Sequence, residues 1–355
     1  MASSRVECVH IAGIVSAVPG TARGVNEGSP ISEAEIAKVS ASTGVSARHL
    51  VGPGMCSSDL CQAAAERLLP ELGWERRTIE VLIFVSQTPD YVLPATACSL
   101  HGRLGLSPEC AAFDVNLGCS GYVYGLWLAA TMIQGGAKRV LVLAGDTISR
   151  LVAPEDRSVA LLFGDAGSAT AVEYSPDAPP IFFELGTDGS GEKHLMVPAG
   201  GFRNRATAEN GLRSRGEDGN VRSEQDLYMN GGEIFAFTMA TVPRVSRAVL
   251  ARAAWPIESV DWFVMHQANR FMLQHLSKLI KIPKEKLVVA LGQYGNTSCA
   301  SIPLAISSCL SEPLRSGTSR LLLAGFGVGF SWGAAAIEFA NTMAPPPIAV
   351  EVDSL

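Results

Sequence analysis

The chain has 355 residues, 47% of them hydrophobic and 17% charged, enough to bury a large core and to fold as two fused units. A net charge of −6 excludes nucleic acid as the main partner, since no basic stripe offsets phosphate repulsion. No uninterrupted apolar run approaches the roughly 20 residues of a membrane span, and the eight cysteines form no CxxC pair, so no zinc ribbon or dithiol motif is encoded.

Residues 1–20 carry Glu7 and His10 inside an apolar stretch and have no basic leader, so they read as a first strand and not a signal peptide. Free thiols without an export signal point to the cytoplasm. Residues 81–85 (VLIFV) form a fully buried strand, followed by a loop over 86–94 and a helix through Leu104. A strand at 111–115 runs into Asn116-Leu117-Gly118-Cys119-Ser120-Gly121, and a helix from about 122 to 133 stops at Gly135-Gly136. A strand at 139–144 ends on Gly145-Asp146.

The later half repeats that order. A strand at 260–265 ends on His266-Gln267, and a helix follows through about Ile280. The segment 287–291 precedes the loop Gly295-Asn296-Thr297-Ser298 and a helix of small residues. A strand at 320–324 closes into Gly325-Phe326-Gly327-Val328-Gly329. This repetition predicts an internal duplication, with one half over 1–176 and the other over 177–343. Residues 200–224 read as a mobile polar excursion, and the tail over 344–355, with three prolines, as leaving the compact domain.

Cys119 stands out among the cysteines. It sits in a strand-to-helix turn flanked by glycines that allow a sharp bend and close approach of a substrate. The helix dipole favours a thiolate at that place. Gly121, Gly125 and Ala129 on one helix face would let the helix pack closely. The ordinary reading of a cysteine is a small buried hydrophobe, and Cys8, Cys61, Cys98, Cys110 and Cys309 are read so. A histidine at a strand end is ordinarily structural, and an asparagine in a glycine loop is ordinarily a turn residue. The duplication changes this, because equivalent loop ends of two halves converge at the centre and would bring Cys119, His266 and Asn296 together. Two N–H donors on one thioester carbonyl suit the enolate left when a malonyl group loses carbon dioxide. Proton abstraction would instead want a second thiol, and Cys299 is read as packing.

Taken together, Ala112-Phe113-Asp114-Val115 before Cys119-Ser120-Gly121, Phe163-Gly164-Asp165, His266-Gln267-Ala268-Asn269, Gly295-Asn296-Thr297-Ser298 and the terminal Gly-Phe-Gly-Val-Gly-Phe segment resemble the ketoacyl-acyl-carrier-protein synthase III family of the thiolase superfamily. The resemblance spans nearly the whole chain. It implies a thiolase-like five-layered αβαβα fold with a pseudo-twofold duplication, a homodimer, and no bound cofactor. Acyl-CoA or acyl carrier protein would enter as substrate. An acyl thioester would acylate Cys119, and malonyl carrier protein would then undergo decarboxylative condensation, as in fatty acid biosynthesis. His266 and Asn296 match the family's histidine and asparagine. The N–H groups of Cys119 and Val328 match its oxyanion hole, with valine where the family has glycine. Arg157, Phe163, Phe235, Ala268, Asn269 and Phe326 match substrate contacts, and Leu93 matches the residue with which a partner subunit caps the acyl pocket. Lys38 and Ser42 stand where the family clamps the coenzyme A adenine. Its arginine after the His-Gln-Ala-Asn motif appears as Arg270, one place before Phe271. The missing clamp argues for weaker coenzyme A affinity and for another thioester donor, carrier-bound in one reading.

Three rivals remain: an acyltransferase passing the acyl group to another nucleophile, a cysteine protease with the same residue order, and an inactive partner subunit. The papain-type flanking signature is absent, and all three chemical positions hold competent residues.

Overall fold

Every residue of the strand Val81–Val85 is buried, as a strand covered on both faces requires, and it pairs in parallel with Ala111–Val115 and Arg139–Asp146. In the computed structural model, which describes residues 2–351, antiparallel Ala166–Tyr174 and Val9–Pro19 continue this sheet. The second sheet repeats the plan. Trp262–Met265 pairs in parallel with Thr318–Gly327, and antiparallel Ser331–Ala340 and Ile181–Thr187 follow. Only the counterpart of Ala111–Val115 is reduced, to a single bridge between Phe263 and Leu287.

The layers are those expected. Helices Gly121–Gln134 and Ser301–Cys309 lie between the sheets, where Tyr122, Leu126 and Ile302 share one core with Val85 and Val142 of one sheet and Val264 and Leu323 of the other. Ser57–Glu71 and Thr96–Arg103 cover the outer face of the first sheet, and Gly231–Ala253 and Arg270–Ile280 that of the second. The central helix approaches closely because its facing positions lack side chains. A Cβ at Gly121 would stand 2.6 Å from Val85, and one at Gly125 3.1 Å from Val142. Helix Gly231–Ala253 has 23 residues and the apolar composition of a membrane span, but half of its most apolar window is buried inside the fold.

Several expectations are corrected. The first twenty residues make two strands, Ala2–Val6 and Val9–Pro19, broken near Cys8, whose φ is +59°. Ala2–Val6 crosses to the second sheet and pairs with Ile181–Thr187. The tail stays with the domain as far as residue 351, residues 352–355 lying outside the described residues: Ile348–Val350 pairs in parallel with Ala17–Pro19 at the edge of the first sheet. Each terminus thus covers an edge of the other half's sheet, where an unpaired ladder would be exposed. The excursion over 200–224 is fastened to the body by Arg222 on buried Asp156 at 3.0 Å. Among the residues read as packing cysteines, Cys61 and Cys110 are buried, Cys8 is half-buried, and Cys98 and Cys309 are exposed.

Candidate active site

Cys119 lies two residues before the central helix, on the loop leaving Ala111–Val115. The second sheet meets it through Gly327, where a Cβ would stand 2.8 Å from the Cys119 Cβ and 3.1 Å from its sulfur. Only glycine leaves room for the thiol there. The expected thiolate is not what this environment favours. Burial pushes the Cys119 thiol up to about 12, and the nearby Asp146 carboxyl adds to that, against a smaller lowering by the Ser298 hydroxyl. With burial as the largest influence, the resting group is a thiol.

His266 follows Trp262–Met265 and is 2% exposed. Burial drives its imidazole down to about 3, with a main-chain hydrogen bond of Ser298 working the other way, so the ring is neutral throughout the physiological range. Its Nδ1 lies 2.7 Å from the Ser301 hydroxyl, and its ring stands nearly perpendicular to that of Phe326, with centres 5.4 Å apart. The adjoining Gln267 side chain donates to the Met265 carbonyl at 2.7 Å and accepts the Ala290 N–H at 2.9 Å, fixing the turn.

Asn296 is held by its main chain, which donates to the Leu162 carbonyl at 2.9 Å and accepts the Gly164 N–H at 3.1 Å. Its Oδ1 accepts the Ser298 N–H at 2.9 Å, which orients the amide and leaves the NH2 as its donor.

Cys119, His266 and Asn296 line one cavity of about 80 Å³, together with Phe163, Ala268, Asn269 and Phe326. The Asn269 side chain is used as a helix cap, accepting the Met272 N–H at 2.8 Å. A second cavity of about 410 Å³ also borders Cys119 and is lined by Ile148, Leu151, Val197, Leu227 and Val328, among others. Val328 follows the last ladder pair, Gly327 with Ser331. Three residues expected at the substrate do not line either cavity. Arg157 is engaged by Glu35 at 2.8 Å and by the Asn220 side chain. Phe235 packs tilted against Phe271 and edge-to-face with His275, with ring centres 5.6 and 5.7 Å away. Leu93 is 78% exposed, next to exposed Tyr91 and Val92. Lys38 and Ser42 are exposed on helix Glu33–Thr43, and Arg270 donates to the Gly44 carbonyl at the end of that helix. Cys299 is 1% exposed, lines neither cavity, and its thiol donates to the Val85 carbonyl at 3.3 Å.

Three neighbours were assigned no role by the sequence reading. Ser298, with φ +51°, touches every member of the site: its hydroxyl reaches Cys119 and Asp146, and its main chain meets Asn296 and His266. Non-glycine residues held in that region cost energy and cluster at functional sites. Asp146 is fully buried, its Oδ1 accepting from Ser86, Gln87 and Thr88, with the Ser298 hydroxyl also bearing on the carboxyl. Ser301 is the third. Ser298 stood in the Gly-Asn-Thr-Ser motif, and Asp146, at the end of a buried strand, showed as a carboxylate where apolar residues belong, while Ser301 carried no signal.

Residues 113–189 match the family 3-oxoacyl-[acyl-carrier-protein] synthase III, and residues 250–339 match the family of its C-terminal region. A 3-oxoacyl-(acyl-carrier protein) synthase from Burkholderia xenovorans LB400 superposes with a TM-score of 0.92 at 43% identity, covering 99% of both chains. A further 3-oxoacyl-(acyl-carrier-protein) synthase III gives 0.85 at 39% identity, over 93% of this chain and 99% of the other. The enzyme of that name from Pseudomonas aeruginosa PAO1 gives 0.79 at 29%, over 97% of this chain and 100% of its own.

Proposed function

The chain belongs to the 3-oxoacyl-[acyl-carrier-protein] synthase III family of thiolase-fold condensing enzymes, and we propose that it joins an acyl group carried on Cys119 to a malonyl carrier protein with loss of carbon dioxide. The observation that carries this reading is the single cavity shared by Cys119, His266 and Asn296.

In the first half-reaction the Cys119 sulfur attacks the donor thioester. The carbon–sulfur bond of the donor breaks, and the thiol proton leaves on the departing sulfur. The N–H groups of Cys119 and Val328 face the carbonyl oxygen as it becomes an oxyanion. In the second, the malonyl thioester occupies the His266 and Asn296 side. Their N–H groups hold its carbonyl oxygen while the carboxylate departs as carbon dioxide and its electron pair forms the enolate. The enolate carbon attacks the acyl carbon, and Cys119 leaves as thiolate and takes up the one proton the reaction consumes. A neutral imidazole suits this, since it donates a hydrogen bond without giving up a proton.

The larger cavity, whose lining joins aliphatic Ile148, Leu151, Val197, Leu227 and Val328 to polar Gln87, Asn116 and Ser298, supports an acyl group longer than acetyl. Arg157, already paired with Glu35, and the exposed Lys38 and Ser42 offer no stacked clamp for adenine, which supports a carrier-bound donor. The exposed Tyr91-Val92-Leu93 loop supports a homodimer in which each subunit's loop meets the other's acyl cavity.

The test is to separate the half-reactions. Asn296→Ala should accept an acyl group on Cys119, seen by intact-protein mass spectrometry, yet lose about 10²–10³-fold in carbon dioxide release from malonyl carrier protein. Release at the wild-type rate, or acyl transfer to an oxygen or nitrogen acceptor without malonyl carrier protein, would refute the condensation reading.

A further inference from the structure

The decarboxylation described above asks one thing of His266: the hydrogen must be on the ring nitrogen that faces the substrate. Histidines are usually set in one tautomer by a carboxylate or carbonyl acceptor at Nδ1, which makes Nδ1 the donor and leaves Nε2 bare. Such an arrangement would suit a base and not a donor. Here the hydrogen-bond partner of Nδ1 is a hydroxyl, that of Ser301, at 2.7 Å, while the Ser298 main chain also bears on the ring and favours an N–H on it. Both residues are 2% exposed, so water does not compete for either group.

The hydroxyl's own bonding decides the direction. Ser301 Oγ accepts the Gln267 N–H at 3.4 Å. Among the described residues no group other than His266 Nδ1 stands ready to accept its hydrogen. Were Nδ1 protonated, Ser301 would accept twice and its buried O–H would be left unpaired, which costs roughly 1–3 kcal/mol. With the O–H donating to Nδ1, every group is paired and the ring hydrogen falls on Nε2. The Gln267 side chain reinforces this, because its bonds to Met265 and Ala290 hold the main-chain N–H against Ser301.

We propose that Ser301 is a positioning residue which, by donating its hydroxyl hydrogen to Nδ1, holds His266 in the Nε2–H tautomer that serves the decarboxylation half-reaction. It touches neither substrate nor Cys119, and it acts only through the imidazole. The inference rests on the condensation reading for its consequence, but the tautomer itself does not.

The experiment uses full-length protein labelled with ¹⁵N-histidine, the His266 signal being identified by its loss in His266→Gln. The wild type should show an unprotonated Nδ1 and a protonated Nε2, and Ser301→Ala should show mixed tautomers. Ser301→Ala should release carbon dioxide from malonyl carrier protein about tenfold more slowly, while acylation of Cys119 stays within about twofold. Ser301→Thr, which keeps the hydroxyl, should restore both the spectrum and the rate. A wild-type Nδ1–H signal would overturn the proposal, as would equal losses in the two half-reactions, since a merely structural role predicts the latter. If the wild type released no carbon dioxide, the condensation reading would fail, and the tautomer shift in Ser301→Ala would still decide the assignment of Ser301.

Discussion

Cys119 and Cys299 each sit two residues before the first residue of a central helix, Gly121 in one half and Ser301 in the other. The duplicated plan puts both thiols at the same offset, yet only Cys119 lines the cavities. Cys299 is turned to the Val85 carbonyl, and burial pushes its thiol well above the ordinary value. What separates them is the opposing surface. Cys119 meets Gly327, whose missing side chain leaves room beside the sulfur, whereas Cys299 is enclosed by the central core. A repeated fold thus supplies two candidate positions, and the packing across the halves selects one.

The largest test of that contrast exchanges the cysteines' fates. Cys119→Ala should show no acyl adduct by intact-protein mass spectrometry. Cys299→Ala should keep the adduct and lose only about 1 kcal/mol of stability, as for a small buried group. An adduct on the first variant, or its disappearance in the second with the fold intact, breaks the comparison. Next in size is Gly327→Ala. Its new Cβ would press on Cys119 from 2.8 Å, and overpacking of about 1–3 kcal/mol should slow acylation on the order of tenfold or more. Wild-type acylation kinetics would show that the opposing surface is not what selects Cys119.

A third test concerns His266, which has no counterpart histidine in the first half. In the unfolded chain its imidazole takes a proton below the ordinary value of 6.5, whereas in the fold it resists down to about 3. The folded pKa is depressed, so the unfolded state gains the proton first and stability is lost as pH falls through that window. The slope is about 1.4 kcal/mol per pH unit. Chemical denaturation between pH 6.5 and 4 should show it, and His266→Gln should flatten it by one proton. The smallest effect belongs to Asp146. Its charge raises the Cys119 thiol, so Asp146→Asn should lower that thiol and speed alkylation by iodoacetamide at pH 8 several-fold, given tenfold more thiolate per pKa unit. An unchanged rate would show that the buried carboxyl is already neutral.

Much of this was legible in the chain. The run VLIFV could only be a strand covered on both faces, and Gly121, Gly125 and Ala129 announced a closely packed helix. The sheet beginning at Ala2 and the return of Ile348–Val350 were not legible, because edge pairing of a terminus with the other half leaves no local pattern. The substrate contacts fared likewise. Phe163, Ala268, Asn269 and Phe326 line the cavity shared by Cys119, His266 and Asn296, while Arg157 is taken by Glu35, 122 positions away in the chain.

The sequence by itself determined the alternation of strands and helices, the doubling of the plan, and the three side chains placed at equivalent loop ends, because hydrophobic period and glycine placement are local properties. Only the tertiary structure decided the protonation of those side chains and the company they keep. Burial makes Cys119 a thiol against its helix terminus and leaves His266 neutral, and Ser301 reaches that ring from 35 residues along the chain. Desolvation and hydrogen-bond direction depend on what surrounds a group from every side, and that exists only once the two halves have closed on each other.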